Sequence, residues 1–164
     1  MERATSIATA DLCDAFPELT PLPPIWRSVG GVVRFAGPVA TIRVHDDNAL
    51  IRATLETNGE GRVLVIDNGG SLACALVGDR LAQLAIDHGW SGVLVYGCVR
   101  DSATLREMPL GILTLATMPK PPSRQGGGET QVTVRIGGVD ILPGQWLYAD
   151  EDGAVIAPRQ LSLP

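Results

Sequence analysis

Val63-Leu64-Val65-Ile66-Asp67-Asn68-Gly69-Gly70, then Ser71-Leu72-Ala73-Cys74-Ala75-Leu76-Val77-Gly78-Asp79-Arg80, then Gly92-Val93-Leu94-Val95-Tyr96, is the stretch that decides the fold. Val63 to Asp67 is a short apolar run closed by turn residues, the pattern of a strand buried on both faces. Gly92 to Tyr96 repeats that pattern. Between them, Ser71 to His88 permits two readings. One is a single long helix capped by Gly89; the other is an extended piece through Val77 followed by a helix from Arg80 to His88. Gly78-Asp79 favours the second, because glycine is poor inside a helix and aspartate is a strong N-cap. The result is a strand–helix–strand unit, and with it an α/β fold.

Working outward, Val39 to Val44 is β-branched and alternating and reads as a strand. Asn48 can cap a helix running to about Thr57, with Asn58-Gly59 as its stop. Thr9 to Phe16 reads as a short helix ended by the proline-rich turn Pro17 to Pro24. Past Tyr96, Leu105 to Met108 reads as a helical turn and Ile112 to Thr117 as a strand. Pro119 to Gly128, with its prolines and three consecutive glycines, reads as a surface connection. Gln131 to Leu142 holds two strand-like runs broken at Gly137-Gly138, a hairpin or a bulge. Pro143-Gly144 is a turn, and Ala154 to Ala157 a last strand. These elements predict a mixed sheet sandwiched by helices.

The chain has 164 residues, which fits one domain, 1–164. Hydrophobic residues make up 45% but aromatics only 4%, so Val, Leu, Ile and Ala must fill the core. Net charge is −5 with no basic run, which argues against direct nucleic acid binding. No apolar stretch reaches the roughly 18 residues of a membrane span. Met1 to Ser6 has no positive region leading into an apolar one, so no signal peptide is expected, and a cytoplasmic location is. Cys13, Cys74 and Cys98 lack metal-site or disulfide spacing and read as small buried thiols. His45 and His88 form no triad with any serine or cysteine.

Three features could carry chemistry. If a helix begins at Gly78-Asp79-Arg80-Leu81, its free N–H groups and positive dipole end suit carboxylates, enolates or phosphates. Arg100-Asp101 follows a buried strand, and ligands of open α/β sheets gather at the carboxyl ends of strands. There Arg100 can clamp a carboxylate through two hydrogen bonds, and Asp101 can offer a hard oxygen to Mg²⁺ or Mn²⁺. On spacing alone, a surface ion pair is the better explanation of Arg100-Asp101. The third feature, Asp150-Glu151-Asp152-Gly153, is either a solvated acidic turn or a segment that attracts a cation in a neighbouring subunit's site.

These residues also carry a resemblance. Thr9-Ala10-Asp11-Leu12-Cys13-Asp14, Phe35-Ala36-Gly37-Pro38, Asp47-Asn48-Ala49-Leu50, Val63 to Leu72, Tyr96-Gly97-Cys98-Val99-Arg100-Asp101, Gly137-Gly138-Val139 and Leu147 to Gly153 occur in one order along nearly the whole chain. In this the chain resembles the regulator-of-ribonuclease-activity A (RraA-like) family, which includes 4-hydroxy-4-methyl-2-oxoglutarate aldolases. The resemblance implies a swivelling β/β/α-type domain, with mixed sheet layers and flanking helices, assembled as a homotrimer. Its aldolase branch looks like an aspartate followed, after twenty intervening residues, by Arg-Asp, as Asp79, Arg100 and Asp101 are here. By that carry-over Gly78, Asp79, Arg80, Leu81 and Arg100 hold a small 2-oxo acid, and Asp101 binds a divalent cation, Mg²⁺ or Mn²⁺. Asp79 and Arg100 are then the catalytic pair, and the reaction releases pyruvate, with oxaloacetate decarboxylation as a side activity. One departure stands out: Thr104 occupies a position where such aldolases often carry an acid, with Glu107 about a helical turn later. The alternative the family offers is a non-catalytic regulator docking on a ribonuclease or an RNA helicase.

Overall fold

The computed structural model describes residues 7–162; the Met1–Ser6 segment read above for a signal peptide lies outside them. In chain order the elements are α1 (Thr9–Ala15), β1 (Thr20–Pro21), β2 (Arg27–Ser28), β3 (Phe35–Arg43), α2 (Ala49–Leu55), β4 (Val63–Asp67), β5 (Ala75–Val77), α3 (Asp79–Asp87), β6 (Gly92–Val99) and α4 (Ser102–Leu105). There follow β7 (Gly111–Thr117), β8 (Glu129–Thr130), β9 (Val134–Ile136), β10 (Val139–Ile141), β11 (Trp146–Asp150) and β12 (Gly153–Ala157). No helix among the described residues is long and apolar enough to cross a membrane.

β3, β4, β6 and β7 lie side by side and parallel, with β5 added alongside the end of β6. Every residue of β4 is buried, as a strand covered on both faces requires. On one face Ile51 and Leu55 of α2, Leu81, Ala82 and Ala85 of α3, and Leu105 of α4 pack onto Ile42, Leu64, Ile66, Val93 and Val95. The opposite face carries Val63, Val65 and Leu94, and is covered by the β9–β10 hairpin and by Leu147, Ala149, Ala154 and Ile156 of β11 and β12. The far side of β11–β12 packs Tyr148, Val155 and Ala157 against Leu12 of α1. The layers therefore run helices, parallel strands, antiparallel strands, and a last helix. This is the mixed-layer α/β architecture expected, with a second β layer where the residues alone suggested only helices.

β3 begins four residues before the expected Val39. Gly37-Pro38 looks like a break in the sequence, yet it is the point where the strand changes partner. Phe35–Pro38 pairs antiparallel with β11, and Val39–Arg43 pairs parallel with β4. Gly37 is needed there because a Cβ would stand 2.2 Å from the Gly61 carbonyl oxygen. Phe35 also departs from the aliphatic core. Its ring fills the space left by Gly92 and Gly111, cross-strand partners whose Cβ atoms would meet it at 2.4 and 2.1 Å.

Other differences are local. Gly78, not Asp79, is the N-cap of α3, and Asp79 is its first residue. Asn48 occupies the N-cap of α2, but its side chain donates to the Leu76 carbonyl while the Asp47 carboxylate accepts the Ala49 N–H. The helical turn expected at Leu105–Met108 falls three residues earlier, as α4 (Ser102–Leu105) directly after Asp101, with only a turn following it. Gln131–Leu142 is the hairpin, not a bulge. β11 was not expected at all. Cys13 is exposed on α1, whereas Cys74 and Cys98 are buried as expected. Burial, with the Asp46 carboxylate beside it, pushes the Cys74 thiol up to about 11, and burial raises Cys98 too, which keeps both thiols protonated and inert.

Candidate active site

The expected site residues converge. Gly78, Asp79, Arg80, Leu81, Arg100 and Asp101 all line one cleft of about 870 Å³, at the ends of β5 and β6. That volume lies within the roughly 300–1,000 Å³ typical of small-molecule sites. The position follows from the topology. β5 runs parallel to β6, so the loop that starts α3 and the loop that leaves β6 emerge on the same side. The Arg100 N–H donates to the Val77 carbonyl and fixes the two loops together.

The central contact joins the two motifs. Asp101 Oδ2 accepts the Asp79 N–H at 3.0 Å, so a carboxylate caps the positive end of α3. The backbone and a glycine both serve this contact. Asp101 adopts a left-handed conformation, φ +61° and ψ +36°, which aspartate tolerates better than most residues. Gly78 leaves room for the carboxylate, since a Cβ there would lie 2.5 Å from Oδ2. Ala82 N–H is the first in α3 to bond within the helix, to Gly78 O. With Asp79 N–H given to Asp101, the N–H groups of Arg80 and Leu81 remain as the orphan donors of the first turn.

Arg100 is not part of a surface ion pair among the described residues. Its guanidinium makes one long contact, Nη1 to the Pro119 carbonyl at 3.4 Å. A smaller cleft of about 310 Å³ shares Arg100 and Asp101 and is otherwise lined by Ser102 and Thr117 to Pro119. Neither Thr104 nor Glu107 lines either cleft. No group of three or more His, Cys, Asp and Glu side chains among the described residues could enclose a metal ion. The carboxylates that line the cleft are those of Asp79 and Asp101.

The acidic turn is committed elsewhere. Asp150 is buried, and its two oxygens accept the Thr9 N–H and hydroxyl, both at 2.7 Å, which ties the start of α1 to β11. Burial alone would raise its carboxyl, but the Thr9 and Asp152 hydrogen bonds and nearby Arg34 hold it below the usual range. Glu151 pairs with Arg34.

Three polar residues of the cleft, Asn48, Arg52 and Arg124, were not among the expected site residues. Arg124 belongs to the Pro119–Gly128 loop, read above as a plain connection. That loop is anchored by Asp47, whose buried carboxylate accepts the N–H groups of Gln125 at 2.7 Å and Gly126 at 3.2 Å. Burial works against the Asp47 charge. The N–H groups of Ala49, Gln125 and Gly126 and the Ser123 hydroxyl outweigh it and lower the carboxyl below its ordinary value. Asp46 N–H bonds the Asn68 side chain, and the Ser123 N–H donates to the Asp46 carbonyl. The segment after β3 thus holds the Arg124 loop and the turn after β4 at once.

A parallel α/β sheet with a helix start, an arginine and a carboxylate at its strand ends is an arrangement suited to small anions. The family model described as RraA-like, Aldolase/RraA, matches residues 9–156, and the chain belongs to that family. It is 51% identical over 151 residues to the 4-hydroxy-4-methyl-2-oxoglutarate aldolase of Thermus thermophilus, covering 92% of each chain. It is 50% identical over 163 residues to a Burkholderia multivorans protein that bears the same aldolase name provisionally, covering 96% of this chain and 99% of that one. The solved structure of the RNA-processing inhibitor RraA from Thermus thermophilus superposes with a TM-score of 0.92 at 49% identity, over 95% of both chains.

Proposed function

We propose that this protein is a divalent-cation-dependent lyase that cleaves 2-oxo acids of the 4-hydroxy-4-methyl-2-oxoglutarate type to pyruvate, with oxaloacetate decarboxylation as a side activity. The observation that carries this reading is the Asp79 N–H to Asp101 Oδ2 contact, which fastens the Arg-Asp pair to the start of α3 inside one cleft. The aldolase names of the relatives support it.

Arg100 binds the substrate's 1-carboxylate through its planar fork. The N–H groups of Arg80 and Leu81 orient the 2-oxo end of the substrate and stabilise negative charge as it develops there. Asp79, at the mouth of the helix, takes the proton from the 4-hydroxyl as the C3–C4 bond breaks, and is placed to return it to the pyruvate carbon. A lone, exposed carboxylate fits Mg²⁺ or Mn²⁺, which keep several waters and need one or two protein oxygens; it does not fit a closed zinc site. Bound at Asp101, the cation supplies Lewis-acid polarisation of the 2-oxo group.

The test is pyruvate release from 4-hydroxy-4-methyl-2-oxoglutarate and from oxaloacetate, with and without Mg²⁺, together with calorimetric titration by oxalate. The native protein turns over only with the cation. Asp101→Asn falls to background, and Arg100→Lys binds oxalate about 10-fold more weakly or worse, a loss of about 1.4 kcal/mol. Full metal-dependent turnover by Asp101→Asn, or unchanged oxalate affinity in Arg100→Lys, overturns the assignment. The second reading is a non-catalytic regulator of a ribonuclease or RNA helicase, favoured by the RNA-processing inhibitor from Thermus thermophilus. A folded native protein that is inert with every substrate and cation supports it.

A further inference from the structure

The proximal half of the cleft accounts for one carboxylate of the substrate, yet its walls hold more positive charge than that needs. Four arginines, Arg52, Arg80, Arg100 and Arg124, face the cleft against two aspartates, Asp79 and Asp101. This occurs in a chain whose net charge is −5. Concentrating guanidinium groups in one concavity of an acidic protein is the electrostatic signature of a ligand with more than one negative charge. The arginines are not equivalent. Arg52 is already paired with Glu56 one helical turn away, Nε to Oε1 at 3.2 Å. Arg80 belongs to the helix start and Arg100 to the 1-carboxylate. Arg124 has no carboxylate partner among the described residues, although its loop is anchored by the Asp47 carboxylate. A buried carboxylate is a costly group, and Asp47 spends it on the Ser123 hydroxyl and on backbone N–H groups, two of them belonging to the residues that follow Arg124.

We propose that Arg124, positioned by the Asp47 clamp, recognises a second carboxylate at the distal end of the substrate and so selects dicarboxylic over monocarboxylic 2-oxo acids. This rests on the reading that Arg100 holds the 1-carboxylate. Asp47 is then a positioning residue: it touches no ligand but determines where the Arg124 loop lies. A guanidinium carried on an anchored loop loses less freedom on binding than one on a loose loop, which favours selectivity.

The test compares 2-oxoglutarate with 2-oxopentanoate, which have the same chain length and differ in the distal carboxylate, by calorimetric titration with Mg²⁺ present. Neither can undergo the cleavage, so the readout is binding alone. The native protein prefers 2-oxoglutarate by 10-fold or more. Arg124→Ala removes that preference and leaves 2-oxopentanoate affinity unchanged, and Arg124→Lys restores part of it. Asp47→Asn reduces the preference with Arg124 still present. If Arg124→Ala binds both acids as the native protein does, the inference is overturned and the lyase reading stands. If the folded native protein binds neither acid, the lyase reading fails and this inference fails with it.

Discussion

Gly78→Ala isolates the contact on which the site depends. The glycine's φ of −131° and ψ of −161° are extended values open to any residue, so alanine brings no backbone strain. What it brings is a Cβ 2.5 Å from Asp101 Oδ2, against the 3.0–3.4 Å of tight real contacts. The carboxylate must retreat by 0.5 to 0.9 Å, by subtraction of those values. A retreat along the bond stretches the contact with the Asp79 N–H from 3.0 Å to about 3.5–3.9 Å, at or beyond the limit of a hydrogen bond. An exposed hydrogen bond of this kind contributes about 1 kcal/mol or less, and losing glycine's freedom in the unfolded chain returns about as much. The melting temperature should therefore barely move. Catalysis should suffer far more, because a misplacement of about 1 Å at a reacting centre costs up to about 100-fold in rate. We expect a 10- to 100-fold fall in kcat/KM for pyruvate release. The cause is checked by a double-mutant cycle: in an Asp101→Ala background, Gly78→Ala should have no further effect. Native turnover in Gly78→Ala, or losses that simply add in the double variant, would refute the assignment of Asp101 as the group displaced.

Two further expectations concern the scaffold. Asp150→Ala leaves the buried Thr9 N–H and hydroxyl without their acceptor and should cost about 1–3 kcal/mol in urea melts at neutral pH, with activity unchanged at low denaturant. Because folding lowers the Asp150 carboxyl, its contribution is fully present above the unfolded value near pH 4 and is lost as pH falls through the folded one; the native and Asp150→Ala curves should converge on acidification, and a gap that persists in acid would contradict this. For assembly, the family resemblance and the sheet edges of a chain this size lead us to expect a homotrimer with its site at or beside the subunit boundary, and a monomer mass by light scattering at micromolar concentration would rule it out.

How much of this was legible depended on whether the controlling interaction was local. β4 and the Val63–Tyr96 unit were readable because burial on both faces leaves a periodic mark on neighbouring residues. The start of α3 was readable to within one residue, since Gly78-Asp79 is a local helix signal whichever of the two serves as the cap. β11 was not, because Asp150-Glu151-Asp152 masks a strand end as a solvated turn. The partner that buries Asp150, Thr9, lies 141 positions away. β3 was truncated for a related reason. Gly37-Pro38 ends a strand by local rules and continues one only because Gly61 and β11 are already there. Arg124 was invisible in the same sense: its meaning comes from Asp47, 78 positions earlier in the chain for the Gln125 N–H bond, and no periodicity connects them.

The same distinction bears on catalysis against pure docking. Asp101 stands in left-handed backbone with its charge exposed, followed at once by a four-residue helix. Non-glycine residues in sparsely populated backbone regions cost up to about 1–3 kcal/mol and persist where the surroundings impose them. Here the surroundings do impose it: Gly78 carries no side chain at the one place where a side chain would strike the carboxylate, and the Asp79 N–H meets it from the helix. A surface that only docks on a partner needs shape and charge at its outside, whereas this arrangement spends conformational strain on aiming one oxygen pair into a cleft beside an arginine. Precision of that kind serves a ligand whose atoms must be placed to within an ångström, and it argues for chemistry on a small molecule at this site.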